Sequence, residues 1–302
     1  MTYSDFKIKN GVLVKYKGYD TIVEILYGVK IIGFHAFENC SSLKKITIPD
    51  SVTEIEAWAF KNCSSLKEIT IPDSVTKIEA WAFDGCSSLK EITIPDSVTE
   101  IRDGAFDGCS SLKEINVSSG NEYYSSEKGV LFDKDKTKLI LCPEGFEYES
   151  YSVPDSVTEI GERAFYDCKS LNEITIPNSV TEIGECAFYD CKSLNEITIP
   201  NSVTKIGERA FCGCKSVKEI TISNGVTKIG DWAFAHCESI KKIIIPEGVT
   251  EIGEHAFSCC ESLNEIIIPA SVTKIGEGAF SLCKSLKNTR SIRVRFKQNR
   301  LF

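Results

Sequence analysis

Apolar positions recur along the chain with a period of 23 residues. The stretch from Ile48 to Thr70 reads IPDSVTEIEAWAFKNCSSLKEIT. The next 23 residues read IPDSVTKIEAWAFDGCSSLKEIT and differ only at Glu54/Lys77, Lys61/Asp84 and Asn62/Gly85. A phenylalanine sets the register, at Phe37, Phe60, Phe83 and Phe106, then at Phe165, Phe188, Phe211, Phe234, Phe257 and Phe280. A fixed period of this length signals a solenoid. In the second unit the apolar positions are Val52, Ile55, Ala59, Phe60, Cys63, Leu66, Ile69 and Ile71. Burying each large one contributes on the order of 2 kcal/mol. Ordering the unit costs roughly 1.5 kcal/mol per residue. A single unit is therefore unstable, and stacked neighbours must supply each other's interior.

Glu68-Ile69-Thr70-Ile71 alternates with period two and is rich in β-branched residues, which predicts a short strand with its isoleucines inward. Pro72 stops it, because proline donates no ladder hydrogen bond. Successive strands should stack in parallel about 4.8 Å apart, so that eleven coils give a curved sheet roughly 50 Å long. Val75-Thr76-Lys77-Ile78 is a weaker strand candidate on the return side, and the A-F-x-x-C stretch is expected to make a single helical turn.

The combination of L-x-x-I-x-I with P-x-S-V-T-x-I-G-x-x-A-F-x-x-C, as at Pro177 to Cys191, resembles the BspA-like leucine-rich repeats over roughly Tyr27 to Leu286. The resemblance implies a repeat solenoid: a leucine-rich-repeat arc with a parallel β-sheet on its concave face and short strands and single helical turns on the return side. It also implies noncatalytic binding, often by bacterial or protist surface proteins to host proteins or other cells.

The rhythm breaks once. Val153 follows Val117 at an interval of 36 residues where 23 was due, and Val130-Leu131-Phe132 followed by Leu139-Ile140-Leu141 reads as a hairpin. The amino terminus echoes it in NGVLVKYKGYDTIVEI, where a hairpin would cap the first coil. The inner copy is either a relic of joining two arrays or a protruding binding loop. The expected divisions are an N-terminal hairpin cap at 1–24, a first repeat block at 25–116, the irregular unit at 117–152, a second block at 153–289 and a basic cap or tail at 290–302. The tail is read first as a capping strand whose arginines discourage edge pairing, and second as a basic handle for an acidic surface.

Composition narrows the function. The net charge is −8, yet the segment from Lys284 onward carries seven basic residues and no acidic one, leaving 28 basic against 43 acidic residues elsewhere. Such an acidic body disfavours nucleic acid, whose phosphates need cationic partners. No apolar run approaches the roughly 20 residues that span a bilayer. The start MTYSDFKIKNGVL lacks a basic-then-apolar leader. A cytoplasmic location is therefore expected for the sequence as given, and the cell surface or secretion if a leader is missing.

Ten of the 14 cysteines share one column: Cys40, Cys63, Cys86, Cys109, Cys168, Cys191, Cys214, Cys237, Cys260 and Cys283. Disulfides need Cβ atoms about 3.8 Å apart with facing vectors, which a stack does not supply. The column reads as a ladder of free, buried thiols suited to a reducing compartment. Cys212, His236 and Cys259 follow their phenylalanines in consecutive coils, but a zinc site would need a fourth ligand and no CxxC pair exists. No metal or cofactor is expected. None of the three histidines, His35, His236 and His255, falls in a catalytic motif, and no glycine pattern forms a phosphate cradle, so an enzyme is not expected.

Two columns remain as binding candidates. Strand parity turns a run of glutamates outward, at Glu68, Glu91 and Glu114, then Glu173, Glu196 and Glu219, with Glu265 beyond and Lys45 and Lys242 breaking the sign. Thr47, Thr70, Thr93, Thr175, Thr198 and Thr221 run beside them, giving an acidic, hydroxyl-rich trough for a basic peptide, unless the column is merely a soluble module copied many times. The second column precedes Ala-Phe and reads His35, Trp58, Trp81, Gly104, Arg163, Cys186, Arg209, Trp232, His255 and Gly278. It varies where its neighbours do not, it holds all three tryptophans, and Trp and Arg dominate interface hot spots. A half-exposed position that tolerates any residue is the bland alternative. The leading expectation is a noncatalytic module that binds a protein or peptide. The alternatives are a surface adhesin and a self-associating structural module.

Overall fold

Each repeat becomes one coil with two short strands and a turn segment between them. The computed structural model describes residues 5–286 and the strand Ile292–Val294. The chain forms two compact units, Met1–Asp135 with Leu141–Phe146, and Lys136–Ile140 with Glu147–Phe302. Each is a solenoid of stacked parallel coils. The tail expected at 290–302 lies outside the described residues except for Ile292–Val294, which pairs in parallel with Glu265–Ile268.

The weaker strand candidate carries the longer ladder. In the first unit Ile31–Ile32, Glu54–Ile55, Lys77–Ile78 and Glu100–Ile101 pair in parallel without a break and join the N-terminal hairpin through Val12–Tyr16. In the second, Glu159–Ile160, Glu182–Ile183, Lys205–Ile206, Lys228–Ile229, Glu251–Ile252 and Lys274–Ile275 do the same. The E-I-T strands also pair in parallel, but in pieces. Ile22–Glu24, Lys45–Thr47 and Glu68–Thr70 form one sheet, and Glu91–Ile94 with Glu114–Val117 another. The second unit likewise divides into Ser150–Ser152 with Glu173–Thr175, Glu196–Ile199 with Glu219–Ile222, and Lys242–Ile244 with Glu265–Ile268 and Ile292–Val294.

Hydrogen bonding between coils explains the difference. On the continuous side each coil returns two amides to the coil before it, as in Thr76 N–H to Thr53 O at 2.9 Å and Glu79 N–H to Ile55 O at 2.9 Å. On the other side the residue before the strand usually donates to its equivalent one coil earlier, as Lys67 does to Lys44 O and Lys218 to Asn195 O. The amides of Lys90 and Lys241 make no such bond, and the sheet opens at both places. It also opens between Glu173–Thr175 and Glu196–Ile199, where the Asn195 amide still reaches Asn172 O at 3.0 Å.

The expected helical turn does not form; among the described residues there is no α-helix. The A-F-x-x-C segment is instead a run of four-residue turns. Ala59 N–H donates to Glu56 O, Lys61 N–H to Trp58 O and Cys63 N–H to Phe60 O, while the intervening amides of Trp58, Phe60 and Asn62 donate to Ala80, Ala82 and Asp84 of the next coil. Two positions per coil are left-handed, two residues before and two after the phenylalanine, with Trp58 at φ 54° and Asn62 at φ 57°. A left-handed residue breaks a right-handed helix, and half of the amides point along the stack rather than back along the chain.

The phenylalanines form the core. Phe60, Phe83, Phe188 and Phe211 are wholly buried, and Phe165, Phe188 and Phe211 stack with centroids 4.9 and 5.0 Å apart. The cysteine column is a ladder of free thiols as expected. Within each block the buried rungs donate to the phenylalanine carbonyl of the preceding coil, as Cys63 does to Phe37 O at 3.2 Å and Cys191 to Phe165 O at 2.9 Å. Burial pushes the Cys40 thiol up to about 12 and holds those of Cys109, Cys191 and Cys214 well above their ordinary value. Few are thiolates at neutral pH, so the ladder packs as apolar surface and is poorly reactive.

The three differences between the near-identical repeats lie where the coils touch. Glu54 and Lys77 are register partners, and Lys77 reaches Glu100 of the following coil at 3.6 Å. Lys61 meets Asp84 at 3.3 Å. Asn62 and Gly85 share a left-handed position, and a side chain on Gly85 would meet the Asn62 amide oxygen at 2.5 Å. Identical coils would stack like charges, which repel across paired strands; sign alternation relieves this. Lys77→Glu would line up three carboxylates at 54, 77 and 100. It is expected to cost about 0.5–1 kcal/mol, with a urea midpoint that recovers in high salt as the repulsion is screened.

The irregular unit is built into the stack. Val130, Leu131 and Phe132 are wholly buried, and Val130–Asp133 pairs antiparallel with Tyr124–Glu127. The turn Lys128-Gly129 has both residues at positive φ, like Asn10-Gly11 in the N-terminal hairpin, the geometry two-residue hairpins favour. Asn121, in the same irregular unit, is wholly buried. Its Nδ2 donates to Pro95 O at 2.7 Å and Val98 O at 3.0 Å, and its Oδ1 accepts the amides of Tyr123 and Tyr124 at 2.8 Å. The Tyr124 hydroxyl accepts the Ile101 amide and the Glu144 carboxylate accepts the Gly108 amide, closing donors that the next regular coil would have taken. The exposed large hydrophobic side chains of this unit are Tyr123 and Tyr148.

Candidate functional site

The variable column lies along the left-handed position of the turn segment. His35, Trp58, Trp81, Arg163, Cys186, Arg209, Trp232 and His255 all have φ between 52° and 58°. Most residues pay roughly 1–2 kcal/mol there, whereas glycine does not. Gly104 and Gly278 occupy the same place and end the runs of stacked side chains. A side chain on Gly104 would sit 2.4 Å from the Trp81 Nε1, and one on Gly278 would meet the His255 ring at 2.4 Å. Each column side chain therefore leans over the coil that follows it.

This lean assembles the expected ridge in part. In the first unit His35 stacks on Trp58 with centroids 5.5 Å apart, and Trp58 on Trp81 at 5.0 Å with rings 6° from parallel. Phe34 packs edge-on against Trp58, and Lys61 stands 5.9 Å over the Trp58 ring. Trp81 remains 37% exposed. In the second unit Trp232 stacks on His255 at 4.2 Å. Arg163 lies 3.8 Å over the Tyr166 ring, and Tyr166 stacks on Tyr189 at 5.1 Å. Arg209 pairs with Glu208, and Cys186 between the two arginines is buried, its thiol raised to about 11 by burial. The ridge is thus a His-Trp-Trp ladder in one unit, and an Arg/Tyr patch with a Trp-His pair in the other. The tyrosines at 166 and 189 escaped the sequence reading because they occupy a neighbouring column.

The glutamate column is exposed as strand parity required. Glu91 and Glu114 face each other in register, as do Glu196 and Glu219, while Glu173 faces Ser150. Glu68 pairs with Lys45 at 2.8 Å, and that bond holds its carboxyl below the usual range. Where the sheet opens before Lys90, a groove of about 770 Å³ is lined by Thr47, Thr70 and Thr93 with Asp50, Glu68, Asp73 and Glu91. A second groove, of about 910 Å³, lies where the sheet opens before Lys241. Its floor holds Ile244 and Ile267 at two threonine positions, beside Thr221. The sequence signal was available, since Ile243-Ile244-Ile245 and Ile266-Ile267-Ile268 lose their alternation.

Cys212, His236 and Cys259 do not converge. His236 and Cys259 share the second left-handed column, whereas Cys212 sits one residue off it and is buried, its thiol raised to about 11 by burial. Among the described residues, no group of three or more His, Cys, Asp or Glu side chains is placed to hold a metal. No helix among them is long and apolar enough to cross a membrane.

Stacked parallel coils, a continuous ladder on one side and grooved short strands on the other define a leucine-rich repeat solenoid. Residues 16–128, 144–234 and 205–296 match the BspA type leucine rich repeat region in six copies. The chain belongs to the BspA-type leucine-rich repeat family, whose members are generally noncatalytic. Its fold is similar to that of a leucine-rich repeat protein from Eubacterium ventriosum, at 26% identity and a TM-score of 0.74, covering 92% of this chain and 89% of that one. A leucine rich cell surface protein from Faecalibacterium prausnitzii matches at 26% identity and a TM-score of 0.59, covering 99% of this chain and 95% of that one. A leucine-rich repeat protein from Bacteroides ovatus matches at 28% identity and a TM-score of 0.53, covering 99% and 90%. No curated protein matches the chain.

Proposed function

We propose that this chain is a noncatalytic protein-binding solenoid that engages its partner through the turn ridge, with the acidic groove of the first unit as a second contact. The observation that carries this reading is the His35-Trp58-Trp81 ladder. Three large rings occupy positions that glycine fills at lower backbone cost, and they stay partly in water. Stacking returns about 0.5–1.5 kcal/mol per pair, which offsets only part of the left-handed strain. Rigid, half-exposed tryptophans are common interface anchors. Arg163, Arg209, Trp232 and His255 form the corresponding ridge of the second unit. Glu68, Glu91 and Glu114 in the first unit, and Glu173, Glu196 and Glu219 in the second, each supply acidic surface for a basic partner.

The double variant Trp58→Gly/Trp81→Gly tests this, because glycine relieves the backbone while deleting the rings. A partner captured by the wild-type chain should be lost or weakened at least tenfold, with the urea midpoint little changed. Equal capture by the variant rejects the ridge. Parallel reversal of Glu68 and Glu91 to lysine separates the groove from the ridge.

A second reading, a cell-surface adhesin, draws on the likeness to the F. prausnitzii cell surface protein. Surface labelling of intact cells of the source organism would decide it; protection of the chain from a membrane-impermeant reagent rejects it.

A further inference from the structure

The groove of the second unit differs in chemistry from that of the first. Two substitutions of the repeat set it apart. The outward threonine of other coils becomes Ile244, which is 53% exposed, and its register partner becomes Ile267. An aliphatic side chain left in water forgoes the stabilisation of burial, so exposed Ile244 with half-buried Ile267 beside it forms an apolar floor lacking a cover. The rim at the amino-terminal ends of the strands holds Lys218, Lys241 and Lys242. Lys242 pairs with Glu265 at 3.2 Å, whereas Lys218 and Lys241 have no ion pair among the described residues. Their ammonium groups lie in adjacent coils and are exposed. Glu219 also lines this rim, and Glu247 lies at the opposite end, beyond Pro246. The unbonded Lys241 amide lies where the sheet opens.

We propose that this groove docks an extended peptide segment of a protein partner in which a carboxylate side chain lies next to an aliphatic one. The aliphatic side chain covers Ile244 and Ile267, and the carboxylate sits between the Lys218 and Lys241 ammonium groups, relieving their mutual repulsion. Charge selects the occupant: the two lysines without ion pairs favour an anion at that end, and a basic segment would add to the repulsion. The groove runs along the opened strands, so an extended chain fits its length, with alternate side chains meeting the floor. This surface is separate from the ridge and from the acidic groove of the first unit and does not depend on either, although it shares Glu219 with the outward glutamate column.

The test uses the full chain and two fluorescein-labelled, N-acetylated octapeptides, one of alternating leucine and glutamate and one of alternating leucine and lysine, in fluorescence anisotropy. The acidic peptide is expected to bind at least fivefold more tightly than the basic one. Ile244→Thr restores the usual residue of the repeat and so keeps the coil; it should weaken the acidic peptide at least fivefold, and Lys241→Glu should do the same. Trp58→Gly/Trp81→Gly should leave that binding unchanged, which separates this groove from the ridge. No binding of the acidic peptide, equal or tighter binding of the basic one, or indifference to Ile244→Thr overturns the proposal.

Discussion

Phe188→Ala is expected to destabilise the second unit by about 3–5 kcal/mol, the range for a buried phenylalanine truncated to alanine. Phe188 is wholly buried and stacked on both sides, against Phe165 at 4.9 Å and Phe211 at 5.0 Å. Its loss opens a void that two neighbouring coils share, and a solenoid coil can draw replacement contacts only from those neighbours. Phe280→Ala provides the contrast. Phe280 is half-buried and has one ring partner, Phe257, at 5.7 Å. Its truncation should cost less than half as much. Urea unfolding followed by circular dichroism measures both midpoints, and equal losses would contradict the view that each coil is completed from both sides.

The second large effect is expected at Asn121. Alanine there removes two donations and two acceptances at once, leaving the Pro95 and Val98 carbonyls and the Tyr123 and Tyr124 amides without this partner. Each buried polar group left unsatisfied costs about 1–3 kcal/mol. Water re-entry offsets part of this, for a net loss of about 3 kcal/mol. Asn121→Asp keeps the acceptor but points a charge at two carbonyls, so it should be no more stable at neutral pH and should partly recover in acid, where the carboxyl is protonated. Hydrogen exchange at Tyr123 and Tyr124 reports the same event locally. Protection of both amides in Asn121→Ala as strong as in the wild type would refute this role.

Asn121 also shows what the sequence made legible and what it concealed. It stands one period after Val98, so the column marked an irregular coil but not that an amide would replace the valine by bonding in four directions. Period, phenylalanine core, thiol ladder and both strands of each coil followed from spacing alone, because identical residues at one interval must stack. The turn segment did not. A-F-x-x-C is compatible with a helical turn, and left-handed tryptophan or histidine is not readable from composition, since the sterics that disfavour it are overruled by hydrogen bonds to the next coil. The outward glutamates followed from parity. The opening of the sheet before Lys90 and Lys241, and hence both grooves, depends on inter-coil spacing, which no single repeat encodes.

The charge alternation between the near-identical repeats has a consequence for copy number. Two tandem stretches this similar invite recombination that drops or gains one of them. Excision of residues 71–93 would bring Glu54 against Glu100, and duplication would set Lys77 against its own twin. Either event joins like signs at the new seam. Growth or shrinkage by a single coil is thus penalised at this junction until a compensating charge change follows, which leaves these two repeats alike in their interiors and opposite in sign at positions 54 and 77, where they meet.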